Sequence, residues 1–80
     1  MFSIKDIQAA AQTIRGVADA TPFVPSPFMS KRAGKDFLLK LENMQPIGAF
    51  KLRGAFNAVA NLPASVTGVT CCSTGNHGRG

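Results

Sequence analysis

No apolar run among these 80 residues approaches the ~18 consecutive residues that a membrane-spanning helix requires, so no membrane partner is expected and the sequence reads as soluble. The opening residues, Met1-Phe2-Ser3-Ile4-Lys5, lack a cationic segment leading into a long apolar one; no secretory signal is expected, and the expected location is cytoplasmic. Cysteine is scarce. Cys71 and Cys72 are adjacent and stand alone, which gives no disulfide framework, and with His77 as the single histidine they offer too few well-spaced ligands for a structural zinc site. No metal is expected, and the two thiols read as small apolar residues at a strand end. Acidic residues number four against nine lysines and arginines, a net charge of +5. Such an excess can neutralise nucleic-acid phosphates. Here, however, Lys31, Arg32, Lys35 and Lys40 gather loosely around a turn, with neither interleaved exposed aromatics nor a groove-reading helix, so no nucleic-acid partner is expected. There is no internal repeat and no low-complexity tract.

What remains is a chain of ordinary hydrophobic content, 45%, long enough for one small domain. A chain near this size buries only about 60% of the surface its unfolded form exposes, so its core is expected to be thin. Ser3 with Asp6 three residues on is a weaker form of the capping box, and Phe2 is placed to staple onto Ile7. Ile4, Ile7, Ala11, Ile14 and Ala18 then mark one face, which predicts a helix over residues 4–19 ending ahead of Pro22. Pro22, Pro25 and Pro27 make residues 20–35 an extended linker rather than a strand, with a short helical turn at Ser30 to Ala33 before Gly34. Phe37, Leu39 and Leu41 fall on one side at period two, with Lys40 and Glu42 opposite, predicting a strand over 36–42 near a sheet edge. Val66 to Cys72, rich in β-branched residues, predicts a second strand. Between them an amphipathic stretch from about Ala49 to Asn61, stopped by Pro63, reads as a helix. Residues 36–72 are therefore expected as strand-helix-strand, with the strands parallel and the crossover right-handed.

Lys51 stands at the start of that helix, between Phe50 and Leu52 and just after the Pro46-Ile47-Gly48 break. Partial burial beside Phe50 and the positive end of a helix would both favour a neutral amine. A neutral lysine is a nucleophile that condenses with aldehydes. A solvated first-turn lysine has the same spacing, so spacing leaves both readings open. In open parallel sheets ligands bind beyond the carboxyl ends of strands, where loops enter helices. Lys51 follows the first predicted strand, and Ser73-Thr74-Gly75-Asn76-His77 follows the second. The loop's exposed N–H groups and its Ser73, Thr74 and Asn76 side chains suit a carboxylate. Taken alone, Thr74 to Gly80 also approaches a dehydrogenase glycine turn, with its first two glycines spaced one residue short.

Together, ENMQPIGAFKLRGA from Glu42 to Ala55 and Ser73-Thr74-Gly75-Asn76-His77 resemble, in order and spacing, the lysine and substrate-loop motifs of the fold-type II pyridoxal-phosphate enzymes, within the threonine and serine dehydratase group. Inside that group, GAFKLRGA with STGNHGR is most similar to the hydroxyectoine-utilisation dehydratases. The resemblance implies an α/β fold of the tryptophan synthase beta-like type with parallel strands and crossover helices, of which residues 1–80 are an N-terminal fragment. It implies a pyridoxal 5'-phosphate cofactor, a small amino-acid substrate and a homo-oligomeric full-length protein. By the same resemblance Lys51 is the residue bonded to the cofactor, Phe50 the aromatic against its ring, and Asn76 the partner of the pyridoxal hydroxyl. Ser73, Thr74, Gly75, Asn76 and His77 match the loop, residues 73–78, that holds the substrate carboxylate. Thr74 is also a candidate proton carrier. His77 reads as a hydrogen-bonded histidine near a helix start before it reads as a catalytic group. Arg53 reads as structural, Asn43 and Gln45 as shaping the turn, and Gly54, which costs about 1 kcal/mol in a helix, as a site of close backbone packing. Two positions depart from the pattern: Ala49 stands where the family often has serine, and Thr74 where dehydratases commonly carry alanine and racemases serine. The implied reaction is β-elimination of a hydroxy amino acid to a 2-keto acid and ammonia. A racemase or β-replacement synthase is the enzymatic alternative, and a non-catalytic fragment or basic binding module the other. The family's glycine-rich phosphate loop, ring-nitrogen partner and second domain have no counterpart in residues 1–80.

Overall fold

The first helix, α1, spans Ile4–Thr13 in a computed structural model that describes all 80 residues. Its first turn closes on itself: the Ser3 N–H donates to Asp6 Oδ2 at 2.6 Å while the Asp6 N–H donates to the Ser3 carbonyl at 3.0 Å. The expected staple does not form, since Phe2 and Ile7 both stay exposed. The helix also stops at Thr13, short of the expected residue 19. Gly16 takes φ +85°, a left-handed conformation that a right-handed helix cannot contain, and Arg15 bridges back to Ala18.

The proline-rich connector holds a strand, which corrects the reading of residues 20–35 as a linker. β1, Phe23–Pro25, pairs antiparallel with β2, Leu38–Lys40, placing Phe23 opposite Lys40 and Pro25 opposite Leu38. Further bonds prolong the pairing, from the Leu41 N–H to the Pro22 carbonyl at 3.0 Å and from the Ser26 N–H to the Phe37 carbonyl at 2.9 Å. Proline is tolerated because each strand of a two-stranded sheet has an open edge on which a missing N–H costs nothing. Between the strands lies α2, Pro27–Ala33, longer than the expected turn. Ser26 caps it by accepting from the Met29 N–H at 3.3 Å, and Pro27 fills the first helical position, where its missing N–H is no loss.

After β2 a single 3-10 turn, Glu42–Met44, leads to a reversal at Gly48, whose φ of +75° a side chain would strain. α3, Lys51–Ala60, follows within the expected range and buries Leu52 and Ala55. Residues 66–72 form no strand, so the expected parallel pair and its crossover are absent. A parallel sheet needs helices over both faces; here β2 pairs instead with its local neighbour β1, and no strand lies beside residues 66–72. A last short helix, α4, Asn76–Arg79, packs on α3. The contact is close enough that a Cβ on Gly80 would fall 2.7 Å from that of Ala55.

The core is thin, as its length predicts. Ile14, Leu52 and Ala55 are its buried apolar members, and two polar residues, Thr21 and Gln45, are buried with them. The radius of gyration, 15.8 Å, exceeds the ~12 Å of a compact chain of this length, so the elements form an extended array around α3. No helix is long and apolar enough to cross a membrane.

Candidate active site

Burial of Gln45 is possible because its whole amide is used. Gln45 Oε1 accepts from the Asp19 N–H at 2.8 Å, and its Nε2 donates to the Asp19 carbonyl at 2.9 Å and to Glu42 Oε2 at 3.1 Å. Thr21 Oγ1 donates to the same carboxylate oxygen at 2.5 Å. Arg53, on the first turn of α3, completes the cluster: its Nε pairs with Glu42 Oε1, and its Nη2 donates to Glu42 Oε2 at 3.0 Å and to the Asp19 carbonyl at 3.1 Å. Lys40 Nζ adds a bond to the Thr21 carbonyl at 2.7 Å. No buried side-chain nitrogen or oxygen lacks a partner.

Four donated bonds stabilise the Glu42 carboxylate in its charged form. The Arg53 hydrogen bonds are the largest cause, desolvation works against them, and Thr21 and Gln45 add to them; the result is a pKa near 2. Arg53 is correspondingly raised above its ordinary value by its bonds to Glu42. The pair is ionised at any ordinary pH. Arg53 ties α3 to the 3-10 turn and to Asp19, and Gln45 ties that same turn to Asp19. Glu42 and Thr21 were not singled out from the sequence, although a carboxylate at one end of the motif and a guanidinium near the other are a readable charge pair.

Lys51 is the first residue of α3, and its Nζ lies 5.5 Å from the centre of the Phe50 ring. The expected burial is not found. Lys51 is exposed and Phe50 is 60% exposed, because the segment that meets the start of α3, around Gly80, reaches the Lys51 backbone and covers neither side chain. The packing of α4 on α3 brings His77 to the same place: Phe50, Lys51, Arg53, Gly54, Ala55 and His77 line one cleft of about 330 Å³. That is the lower end of the ~300–1,000 Å³ typical of small-molecule sites. A second cleft, about 220 Å³, lies between α3, residues 69–71 and α4, with His77 and Cys71 in its wall.

The rest of the loop of residues 73–78 is not gathered with the lysine. Thr74 and Asn76 are exposed, and neither they nor Ser73 or Gly75 line the Lys51 cleft. Ser73 is turned inward on its own loop, where its Oγ accepts from the N–H groups of Gly75 at 3.0 Å and Gly78 at 3.1 Å. With both lone pairs engaged, its hydroxyl has a proton left to donate. His77 makes no side-chain hydrogen bond, contrary to expectation: the Ser73 hydroxyl beside the start of α4 accepts from the Gly75 and Gly78 N–H groups instead, and the imidazole is exposed. Chemically, the cleft combines a primary amine, an aromatic face and an imidazole.

A family profile described as pyridoxal-phosphate dependent enzyme matches residues 14–80. Among curated proteins, the L-threonine ammonia-lyase of Thermotoga maritima is 38% identical over 82 aligned residues, covering 100% of this chain and 20% of that protein. The biosynthetic L-threonine dehydratase IlvA of Halalkalibacterium halodurans is 39% identical, with 99% of this chain and 20% of its own length covered. The catabolic L-threonine dehydratase TdcB of Escherichia coli K12 is 41% identical, over 98% and 24% respectively. The chain thus spans about a fifth to a quarter of the length of these relatives. No solved structure gives a significant match.

Proposed function

The chain belongs to the family of pyridoxal-phosphate dependent enzymes, and on that premise we propose that it is the N-terminal part of an ammonia-lyase that converts a β-hydroxy amino acid to a 2-keto acid and ammonia. The observation that carries this reading is the single cleft shared by Lys51, Phe50 and His77. The names of the relatives, threonine dehydratases and ammonia-lyases, favour elimination over racemisation or replacement.

The donor set fits the cofactor. A solvent-accessible primary amine beside an aromatic ring, at the mouth of a cleft, suits a planar aromatic aldehyde. Lys51 would hold it covalently, Phe50 would pack on its ring and Asn76 would hydrogen-bond its ring hydroxyl. When bound, the cofactor supplies an electron sink for the charge that develops at the substrate α-carbon.

The remaining work falls to this chain's own groups. Lys51 Nζ would serve as the general base for the substrate α-proton. Ser73 donates its hydroxyl proton to the substrate carboxylate, which the Gly75 backbone and the Thr74, Asn76 and His77 side chains surround. Thr74 Oγ1 carries a proton on the face opposite Lys51. For this the loop of residues 73–78 must move toward the cleft that His77 already lines. We propose too that residues 66–72, with their β-branched composition, become a strand parallel to β2 in the complete domain, and that the complete protein is a homo-oligomer.

Borohydride reduction of the complete protein with pyridoxal phosphate, followed by peptide mapping, tests the reading. The pyridoxyl label is expected on Lys51; label on Lys35 or Lys40 in its place sinks it.

A further inference from the structure

Phe50, which precedes α3, makes no side-chain cap bond, and its carbonyl accepts from the Arg53 N–H at 3.1 Å, so the local hold on the turn that begins with Lys51 is backbone alone. The first N–H groups of a helix have no partners within it, and an uncapped start is free to fray. What anchors this one is Arg53. Its guanidinium ties α3 to Glu42 in the 3-10 turn, 11 residues back, and to the Asp19 carbonyl between α1 and β1, 34 residues back. The anchor has little slack at its far end. Glu42 is also held by Thr21 and Gln45, and Gln45 grips both backbone groups of Asp19. Arg53 meanwhile lines the same cleft as Lys51.

We propose that Arg53 and Glu42 are positioning residues for Lys51: the closed cluster of Asp19, Thr21, Glu42, Gln45 and Arg53 sets the direction in which the first turn of α3 presents the lysine amine to the cleft. The proposal rests on the reading of Lys51 as the cofactor-bearing residue. It requires arginine as such. Three donated bonds to three acceptor atoms on two residues need the fixed fork of a guanidinium, whereas a lysine ammonium would keep the charge and lose the geometry. Misplacing a reacting group by about 1 Å can cost on the order of 100-fold in rate, so small rotations of the turn matter to chemistry more than to folding.

The experiment compares the complete holoenzyme with its Arg53→Lys and Thr21→Val variants by three readouts: the lysine labelled on borohydride reduction, the induced circular dichroism of the cofactor's visible band, and kcat against KM. In Arg53→Lys the label is expected to stay on Lys51. The dichroism should fall by about half or more, and kcat by roughly 10- to 100-fold with KM within about threefold. A structural role would lower the melting temperature and leave the folded enzyme's dichroism and kcat unchanged; that result overturns the proposal. Should Arg53→Lys fail to fold, Thr21→Val decides, since it removes one bond to Glu42 at nearly constant shape. A smaller change in the same direction supports the proposal and no change overturns it. Label on another lysine in the unsubstituted enzyme defeats the underlying reading, a result separable from both.

Discussion

Arg53 and Glu42 meet through two bonds, one to each carboxylate oxygen, from positions on either side of Lys51 within its motif. The pair closes the loop of residues 43–52 at its base, so the turn carrying Lys51 is held at both ends.

Replacing Glu42 by Gln should therefore destabilise the protein in a pH-dependent way. The folded-state pKa near 2 lies below the ordinary carboxylate value, so the charged pair's contribution is fully present above about pH 4.5 and is lost as pH falls toward 2. Arg53 is 34% exposed in its side chain, so solvent screening holds the contribution to about 1–2 kcal/mol. Melting temperatures of the two proteins check this: a constant gap from pH 5 to 7 that narrows between pH 4.5 and 2. A gap independent of pH would show that the charge on Glu42 contributes nothing.

The α3–α4 contact depends on the absence of one methyl group. A Cβ on Gly80 would lie 2.7 Å from the Ala55 Cβ, 3.2 Å from the Lys51 carbonyl oxygen and 3.3 Å from the Leu52 Cα, mostly backbone atoms that cannot step aside. Gly80→Ala should push α4 off α3 at a cost of about 1–3 kcal/mol and remove His77 from the Lys51 cleft. Loss of magnetisation transfer between the His77 ring and the α3 protons would register the shift. Unchanged spectra would mean that α4 can yield without leaving.

Much of the helical structure was legible, and for a local reason. Ser3 with Asp6 marks the start of α1, and the apolar spacing of Leu52 and Ala55 marks the buried face of α3. The strands were harder, because pairing is decided between segments. Proline counts against a strand at Pro25, yet the segment finds an edge partner in Leu38–Lys40, while the β-branched run of residues 66–72 finds none. At the site, Lys51 and His77 do converge, on a cleft built by helix packing. The polar cluster was only half visible: Arg53 and Gln45 stand in the motif, but their reach to Asp19 spans 34 and 26 residues. No periodicity carries a bond of that length.

Ser73→Ala should loosen the loop before it affects anything else. It removes the acceptor of both the Gly75 and the Gly78 N–H groups, and one such bond is worth about 1 kcal/mol. Amide exchange at those two glycines should quicken by about fivefold or more, with KM for substrate rising alongside. Faster exchange with an unchanged KM would restrict Ser73 to shaping the loop.

The final prediction is that the 80-residue chain by itself does not turn over serine or threonine. Its Lys51 is exposed, and the imidazole beside it is unsupported by any hydrogen bond. The loop holding Thr74 and Asn76 stands outside the cleft, and loop residues without a supporting shell seldom hold catalytic geometry. Large apolar side chains that a complete domain would cover, Phe23, Phe28, Leu38 and Val69 among them, face solvent, and two strands alone are marginal in water. Added pyridoxal phosphate should therefore bond weakly and without preference to exposed lysines such as Lys31 and Lys35. Keto-acid release from serine or threonine should not exceed that of free cofactor. Release above that level, abolished by Lys51→Ala, would show that the first 80 residues already build a working site.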